Sequence, residues 1–486
     1  MKETAPLCRF PLRRGCRNFD GKARTAATTK AFGGNMAGET EVQVSHLLDE
    51  HGLGAFQIKL ILWSTLIAYI DGYDIGAIAF AAPHLVQAWH VPRESLGWVL
   101  TASNFGVLFG SQIFGWVGDR YGRKTSLIIC NLLFGAFTYW AAYSTNLTEL
   151  FILRTIAGLG IGGVIPNVVA INAESAPRHL RATMAIIATG MVPIGGALAG
   201  FAAAALIPHY GWPVLFYIGG VAPIVFAIVA YFGMPESIKY MALHEHHRDK
   251  MVRLIRAIRP DYQVPPNARF VIEDEQQFPS SNPRYLFHNG LELITPLTWL
   301  IFVLNLMGYF FLISWTPTIL VGAAHASQTV GALTGAALQV GGTVGSLLLC
   351  WWLQRQRFFG IAILFLVAIP VVAAIGYAGL SSTTALVIVA FLAGAVVLGI
   401  QSGINVVGAM IYPTSLRANG SGWQLGLGLF GAIIGPLAGM FLVLLPIQHM
   451  YLFAAIPFAL GAVVTFIIHA LNKERLQAHP ELAKGQ

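Results

Sequence analysis

Twelve long apolar runs dominate this sequence of 486 residues. Each run has about 20 residues or more, the length that an α-helix needs to cross roughly 30 Å of hydrocarbon. Inside a bilayer such a run can satisfy its backbone hydrogen bonds only as a helix. The sequence therefore predicts an all-α membrane protein with twelve transmembrane helices. The runs cover 57–81, 95–117, 125–143, 148–172, 182–206, 212–233, 295–321, 328–353, 359–379, 384–410, 420–444 and 448–470.

Composition supports a membrane protein and excludes several other classes. Hydrophobic residues make up 56% of the chain and charged residues 11%, against about 25% charged in soluble domains. The net charge of +8 is concentrated in residues 1–35 and in short loops, so we expect no nucleic-acid partner. The four cysteines show no metal-ligand spacing, and no nucleophile–base constellation stands out. We therefore predict no metal, no cofactor and no enzymatic activity.

The loops between the runs predict the orientation. If the N-terminus is cytoplasmic, the loops and tail on that side hold 19 Lys and Arg, whereas the opposite loops hold only Arg93. Cytoplasmic loops carry such an excess, so both termini are predicted to be cytoplasmic in a multi-pass protein of the cell (inner) membrane. The predicted parts are a tail (1–50), a first bundle (51–233), a central loop (234–294), a second bundle (295–470) and a C-terminal tail (471–486).

The first 35 residues differ from the rest of the tail. They hold eight Lys or Arg and two acids, with no apolar segment of the kind a secretory signal needs. Met36 begins a stretch that leads into the first apolar run. We interpret Met36 as the native start, and residues 1–35 as a mis-assigned extension or a disordered tail.

A shift of 236 residues superimposes the two halves of the sequence. Gly195 then falls on Gly431, and the glycines at 158 and 163 meet those at 394 and 399. Because each half has six helices, the copies share one orientation and form a parallel repeat. Two such bundles leave a cleft near the bilayer midplane, and rocking one against the other exposes it to each side in turn. This organisation favours a transporter, which we expect to function as a monomer.

Three charges lie inside the predicted membrane region. Asp71 and Asp74 are three residues apart in the first run and so share a helix face. Arg154, in the fourth run, is predicted to lie at a similar depth and to be their countercharge. Buried ionisable groups in membranes are costly and usually functional, so Asp71 and Asp74 are the candidate proton-coupling residues. The alternative is that they only brace the bundle through Arg154.

A charged turn at 115–124 joins the second and third runs. Its glycines permit close helix approach and a tight turn, and its arginines can pair with acids, which predicts a latch for alternating access. A phosphate-binding loop is excluded because no strand precedes the turn and the spacing differs. The gating candidates are Gly115, Asp119, Arg120, Gly122 and Arg123.

These motifs resemble those of the major facilitator superfamily: GxxxDRxGRK at 115–124, RxxxGxGxGG at 154–163 and PES at 235–237. Within it the chain resembles the aromatic acid:proton symporter family, of the hydroxybenzoate and benzoate transporter type. The residues that carry this resemblance are DGYD at 71–74, SWTPT at 314–318 and YPTSLRANGSGW at 412–423.

The resemblance implies proton-driven uptake of a small aromatic carboxylate. It implies coupling at Asp71 and Asp74, and further roles in activity for Glu174 and Arg417; Arg181 aligns with Arg417 in the repeat and is a further candidate. Two positions depart from the family pattern, Arg355 where a second charged turn would have an acid and Leu429 where an arginine is common. The alternatives are a proton symporter for another small organic acid or a sugar, or a membrane sensor without net transport.

An aromatic acid needs stacking surface and a few polar groups to hold its carboxylate. In the superfamily, helices 1, 4, 7 and 10 line the cleft. Polar side chains on membrane helices can equally hydrogen-bond neighbouring helices, and that alternative stays open here. The substrate-binding candidates are Tyr73, Asn167, Asn305, Tyr309, Gln339, Gln401 and Asn405.

Overall fold

The computed structural model consists mainly of long helices arranged in two halves. Each half begins with a helix of about thirty residues or more, and the central loop lies between the halves. The structure describes residues 40–43, 49, 54–177, 180, 184, 190–243, 249, 251–253, 255, 264–265, 268–271, 283–288, 290–323, 326–379, 382–412 and 416–478. Residues 1–35 and Met36 lie outside the described residues, so the proposed start at Met36 stays a prediction.

The first half contains six long helices in the predicted order. The helix that begins at Ala55 continues to Trp89 instead of ending near 81, so it reaches well past its predicted end. A 3₁₀ turn at Arg93–Ser95 precedes the second helix. The helices are α1 (Ala55–Trp89), α2 (Leu96–Tyr121), α3 (Arg123–Ala141), α4 (Leu147–Ser175), α5 (Val192–Tyr210) and α6 (Pro213–Gly233).

The second half repeats this arrangement with two irregularities. Helix Gln328–Ala378 is two spans joined across a kink at Arg357, where φ is 50° and ψ −133°. The last span is interrupted between Ala454 and Ile456. The six spans are α7 (Ile294–Ala323), α8 (Gln328–Leu349), α9 (Arg355–Ala378), α10 (Thr383–Ile411), α11 (Arg417–Leu442) and α12 (Ile447–Gln477).

In the part of the chain that the structure describes, twelve helices of membrane-spanning length agree with the number of apolar runs. Ten of them are both long and apolar enough to cross a bilayer among the described residues. The other two, α2 and α3, have 26 and 19 residues, or about 39 and 28 Å at 1.5 Å per residue. Large apolar side chains on the outside, such as those of Leu62, Phe232 and Phe441, form the surface that a lipid environment favours.

Equivalent glycines make equivalent helix contacts in the two halves, as the 236-residue repeat predicts. A Cβ on Gly195 would overlap the carbonyl of Tyr69 on α1, and a Cβ on Gly431 would overlap the carbonyl of Val303 on α7. In the same way Gly158 and Gly394 pack against backbone on α2 and α8. The internal repeat is therefore a repeat of helix packing as well as of sequence.

The two halves meet mainly at one end. We call the end that carries Asp119 and Glu174 the Asp119 end, and the opposite end, which carries His84 and Arg93, the His84 end. Extensive contacts between the halves pair α5 with α8, α2 with α11 and α1 with α7. Asn104 donates a hydrogen bond to the carbonyl of Ala432 across this junction. Both lie on the His84 side of their helices, so that end is closed.

Outside the membrane helices, a small sheet joins the N-terminal tail to the central loop. Strand β1 (Thr40–Gln43) pairs in parallel with β2 (Ala268–Val271), with Thr40 opposite Ala268. A six-residue helix, Ile238–Leu243, packs its Ile238 and Met241 with nearby apolar side chains of the loop. The two short strands lie outside the membrane helices and leave the predicted all-α membrane fold unchanged.

Candidate substrate and proton site

Glycines fix the position of the acidic helix α1. A Cβ on Gly72 would overlap the carbonyl of Val192 at the start of α5, and a Cβ on Gly76 would lie 3.0 Å from the carbonyl of Gly196. Only glycine allows backbones to approach this closely. The two acids that flank Gly72, Asp71 and Asp74, are therefore held by backbone packing.

Asp74 and Arg154 form a closed ion pair. Arg154 Nη1 donates to Oδ1 of Asp74 at 2.7 Å and Nη2 donates to Oδ2 at 2.5 Å. Both side chains have zero exposure. The Thr138 hydroxyl lies 3.3 Å from Arg154 Nη1 and the Phe216 ring centroid lies 5.7 Å from the guanidinium carbon. Four helices, α1, α3, α4 and α6, thus meet at this pair, and the predicted match in depth is correct.

Asp71 has a different environment from Asp74. Its residue is 4% exposed, and its Oδ1 is buried with no hydrogen-bond partner among the described residues. The hydrogen bonds of Arg154 to carboxylates go to Asp74. Of the two acids, Asp71 is therefore the one that can be protonated while the Asp74–Arg154 ion pair stays intact.

Polar candidates of the second half form two hydrogen-bonded pairs. Tyr309 donates its hydroxyl hydrogen to Gln339 Oε1 at 3.1 Å, and Asn305 donates to Gln401 Oε1 at 2.7 Å. Gln401 in turn lies 3.5 Å from Asn405. These contacts connect α7 with α8 and with α10. The structure thus brings five of the seven substrate-binding candidates into two neighbouring groups on the second half.

Gln339 joins the two halves, whereas the ring of Tyr73 packs within the first half against Gly219 of α6. Tyr73 is buried, and its hydroxyl has no hydrogen-bond partner among the described residues. Gln339, on α8, lies directly against Gly196 of α5. Phenol hydroxyls and amide N–H groups are uncharged donors that can hold a carboxylate.

Asn167 lies apart from these candidates. Its amide donates to the carbonyls of Phe114 at 3.0 Å and Gly163 at 2.7 Å, and to the hydroxyl of Ser126 at 3.0 Å. It also lies against Gly118, one residue before Asp119. Its contacts are those of a brace between α2, α3 and α4 near the Asp119 end, the alternative that the sequence left open for polar residues in helices.

The charged turn forms a network of polar side chains within the first half, and its role as a latch stays a prediction. Arg123 donates to Asp119 and, at 3.2 Å, to Glu174 at the end of α4. Ser237 donates its hydroxyl hydrogen to the other oxygen of Glu174. The network therefore joins α2, α3 and α4 to the beginning of the central loop.

Glu236 extends this network and explains the role of Gly122. Its Oε1 accepts hydrogen bonds from the backbone N–H of Lys124 at 3.0 Å and of Ser237 at 2.9 Å. Gly122 has φ of 102°, and a Cβ there would overlap the Glu236 carboxylate. Burial raises the pKa of Glu236, while the backbone N–H donors oppose that rise. Gly122 is thus needed for both its conformation and its lack of a side chain.

Two gating candidates make contacts that differ from those expected. A Cβ on Gly115 would meet nothing within 4 Å, so close helix approach is not its role. Arg120 lies over the rings of Trp116 and Tyr121, at 5.6 and 5.9 Å from their centroids, and not on an acid. The pairing expected of the turn arginines is therefore correct for Arg123 and wrong for Arg120, whose side chain stacks on neighbouring aromatic rings.

The remaining charged candidates are only partly covered. Arg181 lies outside the described residues, as does the side chain of Arg417, although the backbone of Arg417 begins α11. Arg355 lies at the start of α9, close to the kink at Arg357. The predicted roles of Arg181 and Arg417 stay predictions.

Sequence reasoning missed four residues that complete the charged groups: Thr138 and Phe216 at the ion pair, and Glu236 and Ser237 at the charged turn. Only Glu236 and Ser237 carried a signal, because they belong to the PES motif. His84 lies within α1, toward its C-terminal end. It lines a cavity of about 250 Å³ at the closed junction of the two halves.

Residues 64–383 match the family model of the Major Facilitator Superfamily. The chain belongs to the major facilitator superfamily. Members of this superfamily are transporters, and the relatives of this chain are named as transporters, so the prediction that it is not an enzyme is confirmed. It is therefore a multi-pass membrane protein, as the twelve helices require.

Curated superfamily members match most of the chain. The 4-hydroxybenzoate transporter PcaK of Pseudomonas aeruginosa is 34% identical over 82% of this chain and 89% of its own length. The benzoate transport protein of Acinetobacter baylyi is 32% identical over 88% of this chain and 93% of its own length. The solved structure of a bacterial homologue of the lysosomal transporter Spinster covers 90% of this chain and 99% of its own, with a TM-score of 0.63 at 16% identity. This similarity confirms the predicted fold, a major-facilitator fold of two six-helix bundles.

Proposed function

We propose that the protein is a secondary transporter that takes up a small aromatic carboxylate together with protons by alternating access. The observation that carries the proposal is the buried carboxylate of Asp71, which lies beside the Asp74–Arg154 pair and has an unpartnered oxygen. Intramembrane acids of this kind mark proton pathways. Relatives named as 4-hydroxybenzoate and benzoate transporters support the aromatic acid as the substrate.

The substrate would occupy the space between the first-half acids and the second-half polar pairs. Tyr309 offers a phenol ring and hydroxyl, and the amides of Asn305, Gln339 and Gln401 offer further polar atoms. An aromatic ring stacks favourably on such a phenol, and the amides and the hydroxyl can hold a carboxylate.

The contacts between the halves support alternating access. Closure at the His84 end and the charged turn at the Asp119 end suit a state that opens toward the cytoplasm. This assignment places the Asp119 end, with the excess of Lys and Arg, on the cytoplasmic side of the cell membrane. Rocking would separate Asn104 from Ala432 and open the His84 end.

The test is uptake by purified protein in lipid vesicles, with protein-free vesicles as the blank. A panel of labelled acids should contain 4-hydroxybenzoate, benzoate, an aliphatic acid of similar size and a sugar. We expect uptake of the aromatic acids that rises with an inward proton gradient and collapses when the gradient is dissipated. Preference for the aliphatic acid or the sugar, or uptake driven by sodium alone, would contradict the proposal.

A further inference from the structure

The charges at the depth of Asp71 can be counted from the helices that surround it. Helices α5, α6, α7 and α8, which pack against α1, contain no Asp, Glu, Lys or Arg. In α4 the charged groups other than Arg154 are Glu149 and Glu174, at its two ends. The other titratable groups on α1 and these helices are phenols, including Tyr73 and Tyr309, the histidines His84 and His209 toward the His84 end, and Lys59 near the start of α1. Helix α2, which also packs against α1, carries Asp119 and Arg120 at the Asp119 end. The central charges are thus Asp71, Asp74 and Arg154.

Two of these three charges cancel in the Asp74–Arg154 ion pair. Arg154 holds both oxygens of Asp74, and neither side chain is exposed. Protonating Asp74, or drawing Arg154 toward a substrate, would leave one buried charge without its partner, which is strongly unfavourable. Neither group is therefore available as proton carrier or as the countercharge of a substrate anion.

The second half offers no cation to the substrate either. Between Arg284 and Lys473 its sequence holds only three Lys or Arg, namely Arg355, Arg357 and Arg417. Arg355 begins α9, Arg357 lies at the kink between α8 and α9, and Arg417 begins α11, so all three lie at helix ends. A bound carboxylate at the centre would meet uncharged donors. An ionised Asp71 beside it would add a second negative charge in a low-dielectric space.

We propose that one proton on Asp71 accompanies one monoanionic carboxylate, so that the transport cycle moves no net charge. This inference rests on the proposed function and adds its stoichiometry and substrate charge. The empty site, with Asp71 and Asp74 ionised against Arg154, has a net charge of −1. The loaded site, with Asp71 protonated and one monoanion bound, has the same charge.

The proton balance follows directly. One proton binds to a carboxylate oxygen of Asp71 on the outside and leaves from the same oxygen on the inside, and no substrate bond forms or breaks. A dianion such as phthalate would carry a second negative charge into a site that has one acceptor for a proton. The substrate class is therefore aromatic monocarboxylates, and aromatic dicarboxylates are poor substrates.

The test measures current and uptake in vesicles with 4-hydroxybenzoate as the probe and protein-free vesicles as the blank. We expect protein-dependent uptake without a steady transport current. Imposing 100 mV, interior negative, at a fixed pH difference should leave accumulation unchanged. Any net charge moved would change accumulation about fifty-fold per elementary charge at this potential. Phthalate should be taken up at least tenfold more slowly than 4-hydroxybenzoate.

The Asp71→Asn variant should respond to the membrane potential in a direction that differs from the wild type. Its empty site is neutral and its loaded site carries the charge of the anion, so each uptake event should move one negative charge inward. An interior-negative potential should then lower its uptake, while the wild type is unaffected. If the variant does not transport, binding of 4-hydroxybenzoate measured from pH 5 to 9 replaces it. Wild-type affinity should fall as the pH rises, whereas affinity of the variant should stay level.

Positive inward current with the wild type would overturn the inference, because it requires two or more protons per anion. Uptake of phthalate at the rate of 4-hydroxybenzoate would also overturn it, as would an affinity of the variant that follows the wild-type pH profile. Absence of any protein-dependent uptake of aromatic acids is a separate result: it would contradict the proposed function on which this inference rests.

Discussion

At the scale of single residues, the chemistry depends on how two acids one turn apart differ. Asp74 is held by two hydrogen bonds from Arg154, whereas Asp71 keeps an unpartnered oxygen. Sequence spacing places both on one helix face but cannot show which one faces the arginine, because that depends on the rotation of α1 against α4. The packing of Gly72 against α5 sets this rotation.

The ion pair gives the first prediction. Asp74→Asn leaves Arg154 buried without its counterion, and losing one partner of a buried pair costs about 3–5 kcal/mol. We expect a large fall in thermal stability in detergent and in the yield of inserted protein. The double variant Asp74→Asn with Arg154→Gln removes both charges and should recover most of the loss.

Asp71→Asn is the matched control for this prediction, because it leaves the pair intact and should unfold close to the wild-type temperature. Equal stability of Asp74→Asn and Asp71→Asn would show that the pair is not a structural element. A double variant as unstable as the single one would lead to the same conclusion.

Glu236 gives a prediction that depends on pH. Burial raises its pKa, so the folded protein binds this proton more tightly than the unfolded chain does. Its contribution to stability is therefore full below the unfolded-state pKa, about 4.3 for a glutamate, and is lost as the pH rises through the raised folded-state value. Glu236→Gln keeps an acceptor for the N–H of Lys124 and Ser237 but does not titrate.

Thermal unfolding in detergent from pH 5 to 8 checks this prediction. The stability of the wild type should decline relative to that of Glu236→Gln as the pH rises. A wild type that gains stability relative to the variant over the same range would mean that the ionised carboxylate is the favoured form, contrary to its burial.

At the scale of helices, the repeat is expressed in close contacts that glycine makes possible. Gly195 packs on α1 and Gly431 packs on α7 at equivalent points. The sequence predicted these equivalences, because the shift of 236 residues aligns positions that must accept a backbone in both halves. Helix ends were predicted less well: α1 runs on to Trp89 through Pro83, and hydropathy alone does not show where a long helix leaves the bilayer.

Two glycine-to-alanine substitutions test the packing of the membrane helices. Gly195→Ala places a methyl group on the carbonyl of Tyr69, so α5 must shift from α1. Overpacking of this kind costs about 1–3 kcal/mol, and we expect lower thermal stability and reduced transport. The matched control is Gly426→Ala on α11, where an added Cβ meets nothing within 4 Å.

The control should have wild-type stability and could gain a little, because alanine has the higher helix propensity. Equal effects of the two substitutions would contradict the packing. The comparison is informative because both glycines lie within membrane helices and receive the same methyl group.

The sequence could not predict which side chains contact one another across helices. Thr138 and Phe216 complete the ion pair from α3 and α6, yet a threonine and a phenylalanine in apolar runs carry no distinguishing signal. Asn167 illustrates the reverse case. A polar residue on a cleft-lining helix favours substrate contact, but its rotation turns its amide toward α2 and α3.

At the scale of the whole molecule, the two halves contribute differently. The first half holds the three central charges, and between Glu292 and Glu474 the second half has no Asp or Glu. Its polar groups are amides and phenols in hydrogen-bonded pairs. Proton handling is thus assigned to one bundle, and the other contributes uncharged donors and stacking surface. Rocking of the bundles would couple the two by exposing both sets of groups to the same side.

The most direct test of the account is the pH inside the vesicles while 4-hydroxybenzoate enters down its own gradient, with equal pH on both sides at the start. We expect the wild type to acidify the interior at a rate that matches substrate entry, after subtraction of the protein-free blank. Asp71→Asn should lose this acidification. Acidification by Asp71→Asn at the wild-type ratio to substrate entry would contradict the assignment of proton coupling to Asp71.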